Sequence, residues 1–259
     1  MSLTKKTKIL LCGTSDTTYP RDASIVASLH RIEDCDIIDL RFKADRWSRG
    51  LLRRFGWSSI PQRVWRRFRF WQIRTRLMQH DIDILFIMRL NSSLCLRVAP
   101  LARQFGASVV YDFWVSRTLV AERDGLNVNI ARKRESQIAK VVDVGLTLTS
   151  PYSSYYSESL KCSTEKFAVV PMAVPGLWFD APVCTPHKRE QFVIAYWGNF
   201  LPQHGVKSVL LEAARRLRSY DDIVFQLYGN IKDENLLEMI RDEHLENVQY
   251  YGAPSTDEL

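Results

Sequence analysis

The stretch YWGNFLPQHGVKSVLLEAARRL, residues 196–217, holds the residue types and spacing most suggestive of chemistry. An apolar run ends at Gly198, and a short loop carries Asn199, Pro202 and His204. After Gly205, Val206, Val209, Leu210, Ala213 and Leu217 recur at helical spacing. This order predicts a buried strand, a glycine turn and a helix with one face on a sheet. The unpaired N–H groups and dipole at such a helix start suit a phosphate, and glycine lets a ligand approach the backbone closely. The same glycines also suit a plain chain turn.

Two further positions belong with it. Gly13-Thr14-Ser15 follows the apolar run 8–12 and offers a weaker phosphate signal of the same kind. Asp112 closes the apolar run 108–111, where it reads equally as a cleft residue and as a helix cap or loop anchor for Phe113-Trp114.

Other chemistries find little support. Asp81-Ile82-Asp83 has the D-x-D form of a metal site, but it precedes its strand and so falls at the end of a sheet opposite the usual crevice. His30, His80, His187, His204 and His244 show no metal-ligand spacing, and no G-x-S-x-G nucleophile elbow is present. The five cysteines are scattered without a C-x-x-C pair, which predicts reduced, packed thiols. The basic start MSLTKKTKILLCG has too short an apolar run for a signal peptide and reads as a first strand.

Charge is uneven. The chain of 259 residues carries +7, yet residues 41–76 hold eleven Arg and Lys43 against Asp45, or +11, leaving 7 − 11 = −4 for the rest. A local anionic partner follows. Within this segment Val64, Trp65, Phe68 and Trp71 are helically spaced among Arg63, Arg66, Arg67, Arg69 and Arg74. Such a helix suits the surface of an anionic membrane leaflet or a polyprenyl-diphosphate acceptor. It also suits a helix that packs its aromatics on the core and leaves a solvated basic face. No nucleic-acid-binding module is recognisable.

The elements that must position these residues alternate along the chain. Strands are predicted at 8–12, 35–40, 83–88, 108–111, 145–148 and 167–170, with helices at 22–30, 94–105, 130–141 and 151–160 between them. Short strands apolar on both faces imply a parallel sheet covered by helices on both sides. The proline-bearing stretch 175–190 reads as a linker, dividing a first domain, 1–174, from a second, 191–259. The second restarts the pattern with strands at 192–197, 223–228 and 248–251 and helices at 206–218 and 234–243. Three strands are about half of a doubly wound domain.

The order strand, G-x-φ-x-P-x-x-G-φ, helix with E-A, a strand ending at Gly229, then N-V-x-φ-x-G at 247–252 resembles the retaining glycosyltransferases of GT-B fold, the family-four group. Tyr19-Pro20-Arg21-Asp22, V-V-Y-D at 109–112 and V-V-P-M-A-V-P at 169–175 extend the likeness over nearly the whole chain. The resemblance implies an α/β fold of two Rossmann-like domains, the second incomplete. It implies transfer of a sugar from a nucleotide-sugar donor to a cell-surface glycan or lipid-linked acceptor, with no metal and no cofactor beyond the donor. Donor contacts would come from Gly13, Thr14, Gly198, Asn199, His204, Gly205 and Gly229. Asn199 and His204 stand where the family carries a cation pair, so they compensate less diphosphate charge. Asp112 falls where the family places a catalytic or acceptor-contacting group. Arg21 would address the acceptor, and Arg63, Trp65, Arg66, Arg67 and Trp71 the acceptor or membrane. The family's paired-glutamate motif lies beyond residue 259, so this reading expects a truncated chain that binds donor weakly or not at all. The alternative is a non-catalytic remnant that binds a membrane or partner. A cytoplasmic protein, peripheral at the inner membrane face, is expected.

Overall fold

The computed structural model describes residues 6–15, 20–43, 60–88, 92–172, 191–198, 200, 205–231 and 235–253. The chain divides into two compact units, Met1–Ala181 and Pro182–Leu259. The backbone N–H of Phe192, and therefore the pairing of the second sheet, begins after that division.

In the first unit, strands β1 (Thr7–Ser15), β2 (Cys35–Asp39), β4 (Ile84–Met88), β5 (Ser108–Asp112), β6 (Val144–Thr147) and β7 (Phe167–Val169) form a parallel sheet in the order β2-β1-β4-β5-β6-β7, and the short β3 (Phe42–Lys43) pairs with the end of β1. The order reverses between β1 and β4, the kind of place where open α/β sheets hold ligands. The unbroken apolar runs have a direct cause, since successive side chains enter two different cores. Leu10, Cys12, Leu85 and Ile87 face one cluster, Ile9, Leu11, Phe86 and Met88 the other, and all are buried.

Helices cover both sides. The larger core is closed by α2 (Ile60–Gln79) through Ile73 and Leu77, by α3 (Ser92–Gln104) through Leu94, Cys95, Val98 and Ala102, by α5 (Val128–Val141) through Ile138, and by α6 (Ser150–Leu160) through Tyr156 and Leu160. The smaller is closed by α1 (Pro20–His30) through Ile25. A helix that periodicity did not signal, α4 (Arg117–Arg123), is fixed by its cap, the Ser116 hydroxyl accepting from the Leu119 N–H at 3.2 Å.

Among the described residues the second unit has three parallel strands in the order β10 (Val248–Tyr250), β9 (Ile223–Tyr228) and β8 (Phe192–Trp197). Helices α7 (Leu211–Arg216) and α8 (Asn235–Asp242) contribute Leu211, Ala214 and Leu236 to a core with Phe225 and Leu227. Two expectations are corrected here. β8 is an edge strand among the described residues, with Phe192 and Trp197 at 65% and 69% exposure, and not a buried one. The helix after Gly205 also starts differently. Residues Val206–Leu210 are wound as a π-turn, with the Leu210 N–H reaching back five residues to the Gly205 carbonyl at 3.3 Å. One extra residue in that turn shifts the apolar face, so Val206, Leu211 and Ala214 are buried while Val209 is 69% exposed.

Candidate functional site

At the carboxyl end of the first sheet, Arg21 and Asp112 meet. Arg21 lies in the first turn of α1 and Asp112 ends β5, and they are 1% and 2% exposed. The Arg21 Nη2 donates to Asp112 Oδ1 at 2.6 Å, and Nε lies 3.1 and 3.2 Å from the two carboxylate oxygens. Nη1 donates to the Val170 carbonyl at 2.6 Å, so one guanidinium joins α1, β5 and the segment after β7. In the structure the two side chains address each other. The physical reason is burial, because a carboxylate this far from water needs a charged, hydrogen-bonded partner.

Gly13 explains itself by packing. Its φ is +127°, and a Cβ there would lie 1.6 Å from the Met88 carbonyl oxygen of β4. No side chain fits at this crossing of the sheet's switch point. Thr14 continues the strand by pairing with Phe42.

The second unit repeats the device. Gly198 and Gly229 follow the ends of the neighbouring strands β8 and β9, with φ +147° and +135°. A Cβ on Gly229 would lie 1.9 Å from the Gly198 carbonyl oxygen. The Gly198 N–H donates to the Tyr228 carbonyl at 3.0 Å and the Gly229 N–H to the Gly252 carbonyl at 2.6 Å, so three strand ends are tied together. Gly205, left-handed at φ +68°, opens the π-turn. Between them Phe200, 5% exposed, is held edge-on by Tyr196 at 5.2 Å and Tyr250 at 6.0 Å. Asn199 and His204 lie outside the described residues.

The basic helix α2 is oriented opposite to the packed-aromatic alternative. Ile73 and Leu77 are buried and Phe70 is partly buried, whereas Val64, Phe68 and Trp71 are 62%, 51% and 60% exposed and Trp65 is also exposed. Arg67 is exposed as well. Arg66 turns towards α3, its Nη1 donating to Ser93 Oγ at 3.3 Å. The side chain of Arg63 lies outside the described residues.

Sequence reading missed a polar cluster beside this helix. Glu135 of α5, 3% exposed, accepts from the Arg117 N–H at 2.6 Å and from Thr118 Oγ1 at 2.5 Å. The Arg117 guanidinium donates to Ser92 Oγ at 2.9 Å. The Asp81/Asp83 pair sits before β4, where Asp83 accepts from the Lys8 N–H at 2.8 Å and Asp81 is exposed. Among the described residues no three His, Cys, Asp or Glu side chains cluster as a metal site would require, and no helix is long and apolar enough to cross a membrane.

No family model matches this sequence, and no curated protein matches it. Solved structures do. HepE of Anabaena in complex with UDP superposes with a TM-score of 0.59 at 12% identity, over 96% of this chain and 70% of HepE. HepE with UDP-glucose gives 0.53 at 13% identity, over 96% of this chain and 69% of that one. S. aureus MnaA with UDP gives 0.53 at 11% identity, over 96% and 69%. At these identities the likeness speaks to fold. With its two parallel-sheet units in one chain, the protein has an α/β fold of the GT-B class, two Rossmann-like units of which the second has three strands among the described residues.

Proposed function

We propose that this chain comes from a nucleotide-sugar-dependent glycosyltransferase, with the second unit contacting the donor diphosphate. The observation that carries the reading is the glycine convergence at β8 and β9, where backbone meets backbone immediately before a helical segment that opens at Gly205. The Gly198 and Gly229 N–H groups are held by the Tyr228 and Gly252 carbonyls, so these glycines serve by leaving room for a ligand, and the donors would come from the start of the helical segment at Gly205. The fold likeness to proteins solved with UDP and UDP-glucose supports it.

Donor contacts in the second unit are assigned to Gly198, Asn199, His204, Gly205 and Gly229. In the transfer, the bond from the anomeric carbon to the diphosphate oxygen breaks, the nucleoside diphosphate departs with the electron pair, and an acceptor hydroxyl oxygen bonds to that carbon and passes its proton to the departing diphosphate. Hydrogen bonds from N–H groups, Asn199 and His204 meet the charge on the leaving group. Arg21 and Asp112 act as positioning residues that fix the carboxyl end of the first sheet. The acceptor is a glycan or a lipid-linked saccharide.

The outward aromatic face of α2 favours a peripheral attachment to the cytoplasmic face of a membrane, since exposed Phe68 and Trp71 flanked by Arg67 and Arg74 match an anionic interface in both polarity and charge. Flotation with phosphatidylcholine vesicles containing phosphatidylglycerol tests this. Retention should fall when Phe68 and Trp71 become Ser and when Arg67 becomes Glu; salt-insensitive retention in all variants contradicts it. Vesicle retention without any UDP binding would favour the non-catalytic alternative.

A further inference from the structure

We propose that the second unit carries a glycan-binding strip on the face of its sheet turned away from α7 and α8. Strands β8, β9 and β10 neighbour one another in chain order, so right-handed crossovers place both connecting helices on one face. That face holds Phe225 and Leu227 against Leu211 of α7 and Leu236 of α8. Side chains alternate along a strand, so Ala195 and Trp197 of β8 and Gln226 and Tyr228 of β9 belong to the opposite face. Gln249 of β10 and Tyr251 just after it share that face. Register aligns the set: Trp197 pairs with Tyr228, and Gln226 pairs with both Ala195 and Gln249.

The strip is ordered before any ligand arrives. The Tyr228 and Tyr251 rings stack at 5.0 Å and 12°. The Tyr228 hydroxyl donates to Gln226 Oε1 at 3.0 Å and the Tyr251 hydroxyl to Gln249 Oε1 at 2.6 Å, while Gln226 Nε2 donates to the Tyr251 oxygen at 3.5 Å. These bonds hold side chains whose ordering would otherwise weaken binding. Beside them Trp197 is 69% exposed, and Tyr251 is 53% exposed.

Composition and size select the ligand. The aligned residues are aromatic, amide and alanine side chains, so the strip offers no charge of its own to a phosphate or a charged peptide. Its rings have negative faces, which attract the slightly positive C–H groups of a sugar ring. Its amide and hydroxyl groups both give and accept hydrogen bonds, as sugar hydroxyls do. Three strands about 4.8 Å apart make a strip about 10 Å across and, from Ala195 to Trp197, about 7 Å along. A lasting protein partner needs about 800 Å² on each side, several times this area, whereas a few sugar units fit. Resting on the glycosyltransferase reading, the ligand is a neutral stretch of the acceptor glycan. Trp197, Tyr228 and Tyr251 immediately precede Gly198, Gly229 and Gly252, whose backbones meet at the strand ends.

The test is titration of the full chain, with isotopically labelled tryptophan, by maltohexaose, cellotetraose and chitotetraose in turn. The readout is the Trp197 indole N–H resonance, assigned by its loss in Trp197→Phe. At least one sugar should shift it saturably, with a Kd on the order of 1 mM. Trp197→Ala and Tyr251→Ala, followed through backbone amides of β8 and β9, should each weaken binding by about fivefold, the scale of one aromatic contact. Tyr220→Ala, an exposed tyrosine outside the strip, should leave it unchanged. Amide spectra check each variant's fold, and Trp197→Ala decides alone if Tyr251→Ala fails that check. No shift with any of the three sugars at about 20 mM, or equal affinity in wild type and Trp197→Ala, overturns the proposal. So does a Trp197 shift with uridine that no sugar produces, which would mark a nucleobase site. Sugar binding through Trp197 with no UDP response at Gly205 would remove the donor reading and keep the strip.

Discussion

Replacing Asp112 with Ala should separate a positioning role from a catalytic one. The substitution leaves the Arg21 guanidinium, 1% exposed, with the Val170 carbonyl and no counter-charge from β5. Removing one member of a buried ion pair costs about 3–5 kcal/mol, because the stranded charge stays desolvated. Against a typical domain stability of about 5–15 kcal/mol this is a large fraction. With a urea dependence of about 2 kcal/mol per molar, the first unit's midpoint should fall by about 1.5–2.5 M. Replacing both partners with Leu removes charge and counter-charge together and should recover much of the loss, giving a coupling of about 2 kcal/mol or more in the double-mutant cycle. Hydrogen exchange of the β4 and β5 amides at rising urea reads the first unit by itself, which matters in a chain of two units. A midpoint shift under about 0.5 M, or strictly additive single and double changes, would refute the reasoning. So would a gain in stability, which is common when a catalytic group is removed.

Three further outcomes follow from the same contacts. Gly229→Ala places a methyl group 1.9 Å from the Gly198 carbonyl, so the second unit should lose exchange protection in β8 and β9 while β4 and β5 keep theirs. Asp143 is partly buried, which alone would raise its pKa, but the Val109 N–H and the Arg103 guanidinium outweigh burial and hold it below the usual aspartate value. Its contribution is therefore present above the unfolded pKa and lost as pH falls through the lower folded one; Asp143→Asn should flatten urea midpoints measured between about pH 5 and 2. Burial raises the thiol pKa of Cys12 and pushes that of Cys95 up to about 12, so at pH 8 a thiol reagent should label Cys35 and Cys162 in the folded protein and reach Cys12 and Cys95 only on unfolding.

The parallel sheet was legible because residues 8–12 and 84–88 are apolar without alternation, which only a strand buried on both faces explains. Gly13 and Gly229 were legible as special positions, but their partners, the Met88 and Gly198 carbonyl oxygens, belong to neighbouring strands that no local pattern identifies. The face of the helix after Gly205 was misjudged because a π-turn keeps the composition of an α-helix and changes only the hydrogen-bond span. On α2 both aromatic and aliphatic residues have helical spacing, and it is Ile73 and Leu77 that pack. Glu135 carried no signal, since its partners Arg117 and Thr118 come from a different helix.

On the proposed function, the second unit contacts a nucleotide diphosphate. Titration of UDP into isotopically labelled chain, followed through backbone amide resonances, tests it most directly. Saturable shifts are expected at Gly198, Gly205, Val206 and Gly229 with a Kd on the order of 0.1–1 mM, weakened by Asn199→Ala and His204→Ala. Shifts absent at several millimolar UDP, or confined to the first unit, would contradict it.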